Sequence, residues 1–396
     1  MGHRHWRRES ATRTRSAPGE KMSTDNSGTL PQKASDGDSL ARVVAFYLPQ
    51  FHPIPENDEW WGKGFTEWTN VGKARPLFPG HYQPRVPADL GFYDLRLPDT
   101  RVAQAELARD YGIEAFCYWH YWFAGRRILE RPFTEVLKSG EPKFPFCLGW
   151  ANQTWAGIWH GDPDRILIEQ TYPGVADHEA HFHALLEAFE DDRYLRVAGK
   201  PLFHMYRPRA VPDVHRFTDL WRTLAHRAGL PGLYLVAEGG SEWNPAEEGF
   251  DASVALSLPS LQGWEPGWRA IRRLRWEWRK RRGIPTIVRY EDVEAEIVPS
   301  RQPGIRSHPC LVPNWDNTPR SGRNGLVLHG STPELFRRQL RRALAIAAND
   351  PPEERLIFVK SWNEWAEGNY LEPDLKFGRG YLEVIREELE VRRIRA

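Results

Sequence analysis

Cysteine is scarce in this chain, with three in 396 residues, at Cys117, Cys147 and Cys310. So thin a set excludes a disulfide framework in a protein of this length. All three fall in apolar, strand-like runs, where buried and inert thiols are expected. The 14 histidines include no His-Glu-x-x-His run, and the cysteines no paired spacing. There is no EF-hand loop either, so neither a metal nor a cofactor is expected. No Gly-x-Ser-x-Gly elbow marks a nucleophilic serine. No segment reaches the ~20 apolar residues of a membrane span. An excess of one charge is also missing: 54 Lys and Arg stand against 53 Asp and Glu, a net charge of +1. That balance removes the global pull toward nucleic acid. Residues 1–40 are rich in Arg, Ser, Thr and Gly and lack the apolar core of a secretory signal. They read as a disordered N-terminal extension, with Met22 an alternative start, and cytoplasmic residence is expected.

Aromatic residues, by contrast, are plentiful: 18 Trp, 13 Tyr and 18 Phe. Indole carries a polar N–H that must find a partner, so a core seldom needs this much of it. Flat amphipathic rings suit the apolar faces of sugars. From Arg42 onward, short β-branched or aromatic runs alternate with amphipathic stretches, the pattern of βα units around a parallel sheet. Eight strands are expected, at Val43–Pro49, Ala115–Phe123, Phe144–Asn152, Pro201–Tyr206, Leu233–Glu238, Ala252–Leu258, Cys310–Trp315 and Leu356–Trp362. Between them, Phe182, Leu185, Leu186 and Phe189 share one helical face, and Val214, Phe217, Trp221, Leu224 and Ala228 share another. Thr332-Pro333-Glu334 is a helix N-terminus. His178, His181 and His183 open a helix and are expected to face solvent. No glycine-rich phosphate loop follows the first strand, which favours a closed (β/α)8 TIM barrel over an open nucleotide-binding sheet. Residues 41–396 are expected to form this single domain, with long βα loops at 50–98 and 259–309. The second of these holds a basic insert, Trp268 to Arg282.

Catalytic residues of such barrels stand at the carboxyl ends of the strands. The strand ends here carry Tyr47, His120 and Trp122, Trp150 and Asn152, Tyr206, Glu238, Asn314 and Trp315, and finally Trp362-Asn363-Glu364-Trp365-Ala366-Glu367-Gly368. Trp60 and Glu67 lie in the long first loop. Trp122 and Trp150 are expected in the substrate groove. Glu364 and Glu367 are the sharpest candidates. On a continued strand they would point to opposite faces, but in a helical or looped path they become neighbours. Two close carboxylates cannot both ionise freely, so one holds its proton to higher pH. That places an acid beside a base, as glycosidic cleavage requires.

The runs Ala45–Pro53, Gly64–Trp68, Tyr118–Phe123, Trp150–Trp155 and Ser361–Gly368 resemble the WbsX family. Its members are described as glycosyltransferases of bacterial surface-polysaccharide loci with a glycoside hydrolase family 99-like domain, and the resemblance spans roughly residues 41–385. Family 99 comprises retaining endo-α-mannosidases and endo-α-mannanases on (β/α)8 barrels, with the catalytic pair in an Asn-Glu-Trp-x-Glu-Gly run matching Asn363 to Gly368. The resemblance implies that Glu364 is the base that deprotonates the sugar 2-hydroxyl, which attacks its own anomeric carbon. It implies that Glu367 protonates the leaving oxygen. Outside this run the match to family 99 is thin, which leaves the sugar open.

Three functions follow. The first is endo-acting, retaining hydrolysis or transglycosylation of a bacterial surface polysaccharide. The second is a glycosyltransferase of O-antigen or capsule biosynthesis. It lacks a nucleotide crevice, and the central proline of Asp162-Pro163-Asp164 makes that run a turn. The third is an inactive glycan-binding barrel. In the basic insert, Arg272, Arg275 and Arg279 recur at helical spacing, and contact with a membrane surface or a lipid-linked glycan is a further expectation.

Overall fold

The computed structural model describes residues 41–157, 162–240, 243–258 and 283–393. The expected N-terminal extension and the Trp268–Arg282 stretch lie outside the described residues. Eight parallel strands form the barrel: β1 Arg42–Tyr47, β2 Ile113–His120, β3 Phe146–Trp150, β4 Lys200–Met205, β5 Tyr234–Gly239, β6 Ala252–Ala255, β7 Ser307–Leu311 and β8 Leu356–Val359. The sheet runs β5-β6-β7-β8-β1-β2-β3-β4, and β4 pairs back with β5 to close it. Each expected strand is present, with ends shifted by a few residues.

The helices between them are α1 Pro98–Asp110, α2 Arg131–Ser139, α3 Val175–Glu190, α4 Val214–Arg227, α5 Tyr290–Ile297, α6 Pro333–Ala347 and α7 Gly380–Arg393. Their periodic apolar residues pack on the strands: Phe182, Leu185 and Phe189 of α3, and Phe217, Trp221 and Leu224 of α4, are buried. Thr332 caps α6, its hydroxyl oxygen accepting from the Leu335 N–H at 3.3 Å. Two expectations need correction. Among the described residues, the β5–β6 connection holds a 3₁₀ turn, Pro245–Glu248, and no α-helix. Of the three histidines expected in solvent, His178 and His181 are buried. They belong to the apolar face that α3 turns toward the barrel, and His183 alone of the three is exposed.

The barrel interior is filled by side chains one residue in two along each strand. Phe46 of β1 stacks on Trp119 of β2 with centroids 4.7 Å apart, and His204 of β4 stands edge-on to Phe46 at 4.9 Å. Phe358 of β8 meets Phe46 at 5.6 Å. Gly149 of β3 makes room for this layer. A Cβ there would lie 3.2 Å from Cys117 Sγ, His204 Nδ1 and Trp119 Cζ3 alike. Cys117, Cys147 and Cys310 are all buried and free. Among the described residues, no helix is long and apolar enough to cross a membrane.

Candidate active site

The chain past β8 doubles back on itself. Asn363–Glu364 pairs antiparallel with Asn369–Tyr370, and the 3₁₀ turn Trp365–Glu367 joins the two. In a 3₁₀ turn residues i and i+3 eclipse, so Glu364 and Glu367 emerge on one side. Gly368 closes the turn at φ +58°, where any Cβ would come within 2.9 Å of the Asp316 backbone nitrogen. No residue but glycine fits that position without strain. Trp365 anchors the turn from below. It stacks on Tyr370 with centroids 3.9 Å apart and donates its indole N–H to Glu372 at 2.6 Å. Asn363 ties the segment to β1: its amide accepts from the Leu48 N–H at 2.7 Å and donates to the Leu48 carbonyl at 3.1 Å.

A third loop brings the counter-charge. Asp316 folds the chain after β7 into an Asx turn, accepting from the Thr318 N–H at 3.1 Å and its hydroxyl at 2.6 Å. His81 and Gln83 both meet the other Asp316 oxygen at 2.7 Å. The short helical turn Thr318–Ser321 built on this base presents Arg320. Its three guanidinium nitrogens face three carboxylates: Nε to Glu67 at 3.1 Å, Nη1 to Glu367 at 2.6 Å and Nη2 to Glu364 at 3.1 Å. Burial opposes the charge on Arg320, but Glu67, Glu367 and Glu364 outweigh it and raise its pKa.

Lys360 follows β8 on the same side as Phe358. Its ammonium lies 3.9 Å from a Glu238 carboxylate oxygen and over the rings of Tyr206 and Trp119, at 5.2 and 5.7 Å. Burial works against that charge too, and Glu238 foremost raises it above the ordinary lysine value. Glu238 is itself raised by burial, with Lys360 and Arg207 pulling the other way. Glu364 stands out among the carboxyls. Burial and then Glu367 push it up to about 7, against the opposing pull of Arg320 and Lys360.

These groups meet at a pocket of about 80 Å³ at the carboxyl ends of the strands. Glu364, Glu367, Arg320 and Lys360 form its charged side. Trp119, Tyr121, Trp155 and Tyr206 supply aromatic walls, and Gln50 and Gln153 the amides. Trp60 stands behind the wall, edge-on to Trp155 at 5.9 Å. A larger hollow of about 560 Å³ lies at the opposite end, before β7, and contains the closed Arg301–Asp350 ion pair, 2.6 Å. It lacks the paired carboxylates and aromatic walls of the smaller pocket. Among the described residues, no group of three or more His, Cys, Asp or Glu is placed to hold a metal ion.

Several residues ranked by strand-end position lie elsewhere. Trp150 and Trp122, expected in the groove, are in the layer between barrel and helices. Trp122 stacks on His181 of α3 at 4.7 Å, and Trp150 meets the same ring edge-on at 4.7 Å. His120 shares that layer, its Nε2 2.8 Å from His181 Nε2. Tyr47 donates to Gln104 of α1 at 2.7 Å. Asn152 binds the Arg207 backbone through both ends of its amide, at 2.7 and 2.8 Å. Asn314 accepts from Tyr381 of α7 at 3.4 Å. Trp362 and Trp365 are buried core residues, and the Asn363 amide is spent on Leu48. Trp315 is half-buried beside Leu328, outside the pocket lining. Glu67 reaches the cluster through Arg320, and of the remaining candidates Tyr206 lines the pocket and Glu238 stands behind Lys360.

The pocket residues Arg320, Lys360, Trp119, Tyr121, Trp155, Gln50 and Gln153 are not among the strand-end candidates. For most of them a signal existed in strand parity. Once Phe46, Trp119 and Gly149 are inward, residues 48 and 50, 121, and 151 and 153 follow at intervals of two. Arg320 had no comparable signal.

Comparison with known proteins adds to this geometry. A family model described as glycosyltransferase WbsX matches residues 43–385. Two proteins named WxcX and described as uncharacterized, from two strains of Xanthomonas campestris pv. campestris, are 42% identical over 361 and 353 residues. Each alignment takes in 88% of this chain and 50% of the relative, so the chain spans about half the length of the curated relatives it matches. Among solved structures, one described as a glycoside hydrolase-like protein has a TM-score of 0.53 at 15% identity, covering 92% of this chain and 97% of its own. A GH99 endo-α-mannosidase from Bacteroides thetaiotaomicron, in complex with bis-tris-propane, has a TM-score of 0.51 at 14% identity, covering 91% and 100%. At such identities the likeness is one of fold alone.

Proposed function

The chain belongs to the WbsX glycosyltransferase family, and from that premise we propose that it makes or breaks glycosidic bonds of a bacterial surface polysaccharide with Glu364 and Glu367 as its acid/base pair. It is a carbohydrate-active enzyme on a glycoside hydrolase-like barrel. The observation that carries the proposal is the convergence of both glutamates on one guanidinium at the mouth of an aromatic-walled pocket. A carboxyl pushed up to about 7 beside a second carboxyl supplies a proton donor and acceptor near neutral pH. Two carboxylates sharing the terminal nitrogens of one arginine suit the roughly 5 Å separation of retaining enzymes better than the wider gap that inversion needs. Endo-acting hydrolysis or transglycosylation of an α-linkage is the form we favour, by analogy with the family 99 fold.

The family's name supports a second reading, transfer from an activated donor. Four carboxylates, Glu67, Glu238, Glu364 and Glu367, face two cations, Arg320 and Lys360. That surplus is a poor host for a diphosphate without further positive charge. Cytoplasmic residence belongs to the proposal, as does contact of the Trp268–Arg282 stretch with anionic lipid-linked glycan. Cell fractionation checks the first, and liposome co-sedimentation after removal of the arginines checks the second.

The decisive assay is release of oligosaccharides from a panel of bacterial O-antigen and capsule polysaccharides. Wild type is expected to cleave, and Glu364→Gln and Glu367→Gln each to lose about 10²–10⁴-fold in rate. Absence of cleavage by the wild type, with transfer only on addition of an activated donor, would move the assignment to the glycosyltransferase.

A further inference from the structure

We propose that the β4 side of the pocket is a subsite for a sugar bearing a single carboxylate, received by two cations that share the ring of Tyr206, Lys360 and Arg207. The proposal deepens the polysaccharide-acting reading above and rests on it. Its geometric basis is the pair of charges on one ring. The Lys360 ammonium lies 5.2 Å from the Tyr206 centroid and the Arg207 guanidinium 5.5 Å from it. Ring faces attract cations within about 6 Å but offer their N–H groups no lone pair.

Lys360 is the inner member. It is buried, and it lines the pocket together with Trp119 and Tyr206. Among the described residues Glu238 is the one carboxylate in ion-pair range of its ammonium, and at 3.9 Å it is too far to accept a hydrogen bond. The three ammonium donors are thus left for a group that enters the pocket. Burial opposes the charge and Glu238 foremost sustains it, so Lys360 meets a ligand as a cation. Arg207 is the outer member, exposed just beyond β4 and in no ion pair among the described residues. Asn152 clamps its backbone, accepting from the N–H at 2.7 Å and donating to the carbonyl at 2.8 Å, so the guanidinium springs from a fixed base.

Charge is therefore distributed unevenly around the mouth. Glu67, Glu364 and Glu367 are gathered by Arg320. On the Tyr206 side two cations face the single carboxylate of Glu238. A surplus of that size matches one carboxylate and falls short of a diphosphate. A neutral sugar would offer the buried ammonium only hydroxyl oxygens. A carboxylate gives it a charge-assisted bond, and the Trp119 and Tyr206 rings beside it lower the local dielectric in which that bond forms.

The test is calorimetric binding of the full chain to two sets of polysaccharide fragments, one bearing hexuronate and the other a pyruvate ketal. Each set is compared with the same fragments after their carboxyls are reduced to alcohols. The wild type is expected to bind at least one acidic set about tenfold or more tighter than its reduced form at low salt. Added salt should shrink that ratio. The set that shows it tells whether the carboxylate belongs to the sugar ring or hangs from it. Lys360→Met and Arg207→Ala should each bring the ratio toward one, Lys360→Met by more because its charge is buried. If Lys360→Met does not fold with Glu238 left unpaired, the double variant with Glu238→Gln carries the same expectation. Equal affinity for acidic and reduced fragments in both sets, or binding of neither, overturns the proposal. So does a Lys360→Met variant that weakens both forms alike, since Lys360 would then serve sugar hydroxyls. Cleavage of neutral polysaccharides with no acidic preference would sink this inference and leave the polysaccharide reading standing. Acidic preference without cleavage of any polysaccharide would count against bond cleavage and leave the subsite standing.

Discussion

Replacing Glu364 by glutamine should make the protein more stable above neutral pH and leave it little changed in acid. The Glu364 carboxyl moves from an ordinary 4.5 to about 7 on folding, a preference for the neutral form worth roughly 3 kcal/mol. Its side chain is 7% exposed, so solvent screening takes little from that figure. The direction follows from proton binding. Below the unfolded value the carboxyl is protonated in both states and costs nothing. As pH rises toward 7 the unfolded chain ionises while the folded one keeps its proton, so stability falls. Above 7 the loss is complete. Glutamine keeps the shape and an oxygen for Arg320 but has no proton to lose. Urea denaturation should give near-equal stabilities at about pH 4, and an advantage to Glu364→Gln approaching 3 kcal/mol at about pH 8. Glu372 and Glu238 titrate in both proteins and cancel in the difference. A variant equal to or less stable than wild type at the higher pH would show that Glu364 ionises there without cost, and the electrostatic account of the pair would fail.

Other expectations are as direct. Trp155→Ala should weaken binding of polysaccharide fragments by about 1–2 kcal/mol in calorimetry through loss of a pocket wall, whereas Trp150→Ala should cost about 3–5 kcal/mol of stability in urea as a core deletion; equal effects on binding would contradict their placement. Glu372 accepts from Trp365, Gln104 and Tyr93 at 2.6, 2.7 and 2.8 Å. Glu372→Gln sets an amide donor against those donors and should cost about 1–3 kcal/mol, read from the urea midpoint. His204, with neither ring nitrogen bonded to protein, is lowered to about 3 by burial and then by Lys360. The unfolded histidine takes up a proton near 6.5 and the folded one refuses it, so this group removes roughly 2 kcal/mol of stability by about pH 5. His204→Phe should abolish that part of the acid loss, and an unchanged pH profile would place the sensitivity elsewhere.

The barrel was legible because each strand is a β-branched or aromatic run bounded by polar residues, and period alone locates such runs. The phase of each strand was not. Tyr118-Trp119-His120-Tyr121-Trp122 is aromatic at every position, so composition cannot tell which residues turn inward. The structure sends Trp119 and Tyr121 to the pocket and His120 and Trp122 to α3. Gly149 bears on that choice, since only the missing side chain leaves room for Trp119 and His204 inside. The ranked residues Tyr47, His120, Trp122, Trp150 and Asn152 thus fell one position out of phase, each beside a neighbour that faces inward. The carboxylate pair was visible for a different reason. Its spacing is local, and a tight turn closed by Gly368 needs no long-range information to bring i and i+3 together. Arg320 is the reverse case. It lies 44 residues before Glu364 and 253 after Glu67, on a loop whose course is set by the buried Asp316 cluster. A buried cation that orders three carboxylates is defined only by the assembled fold, and so the chemistry most specific to this site was the part a linear reading was least able to reach.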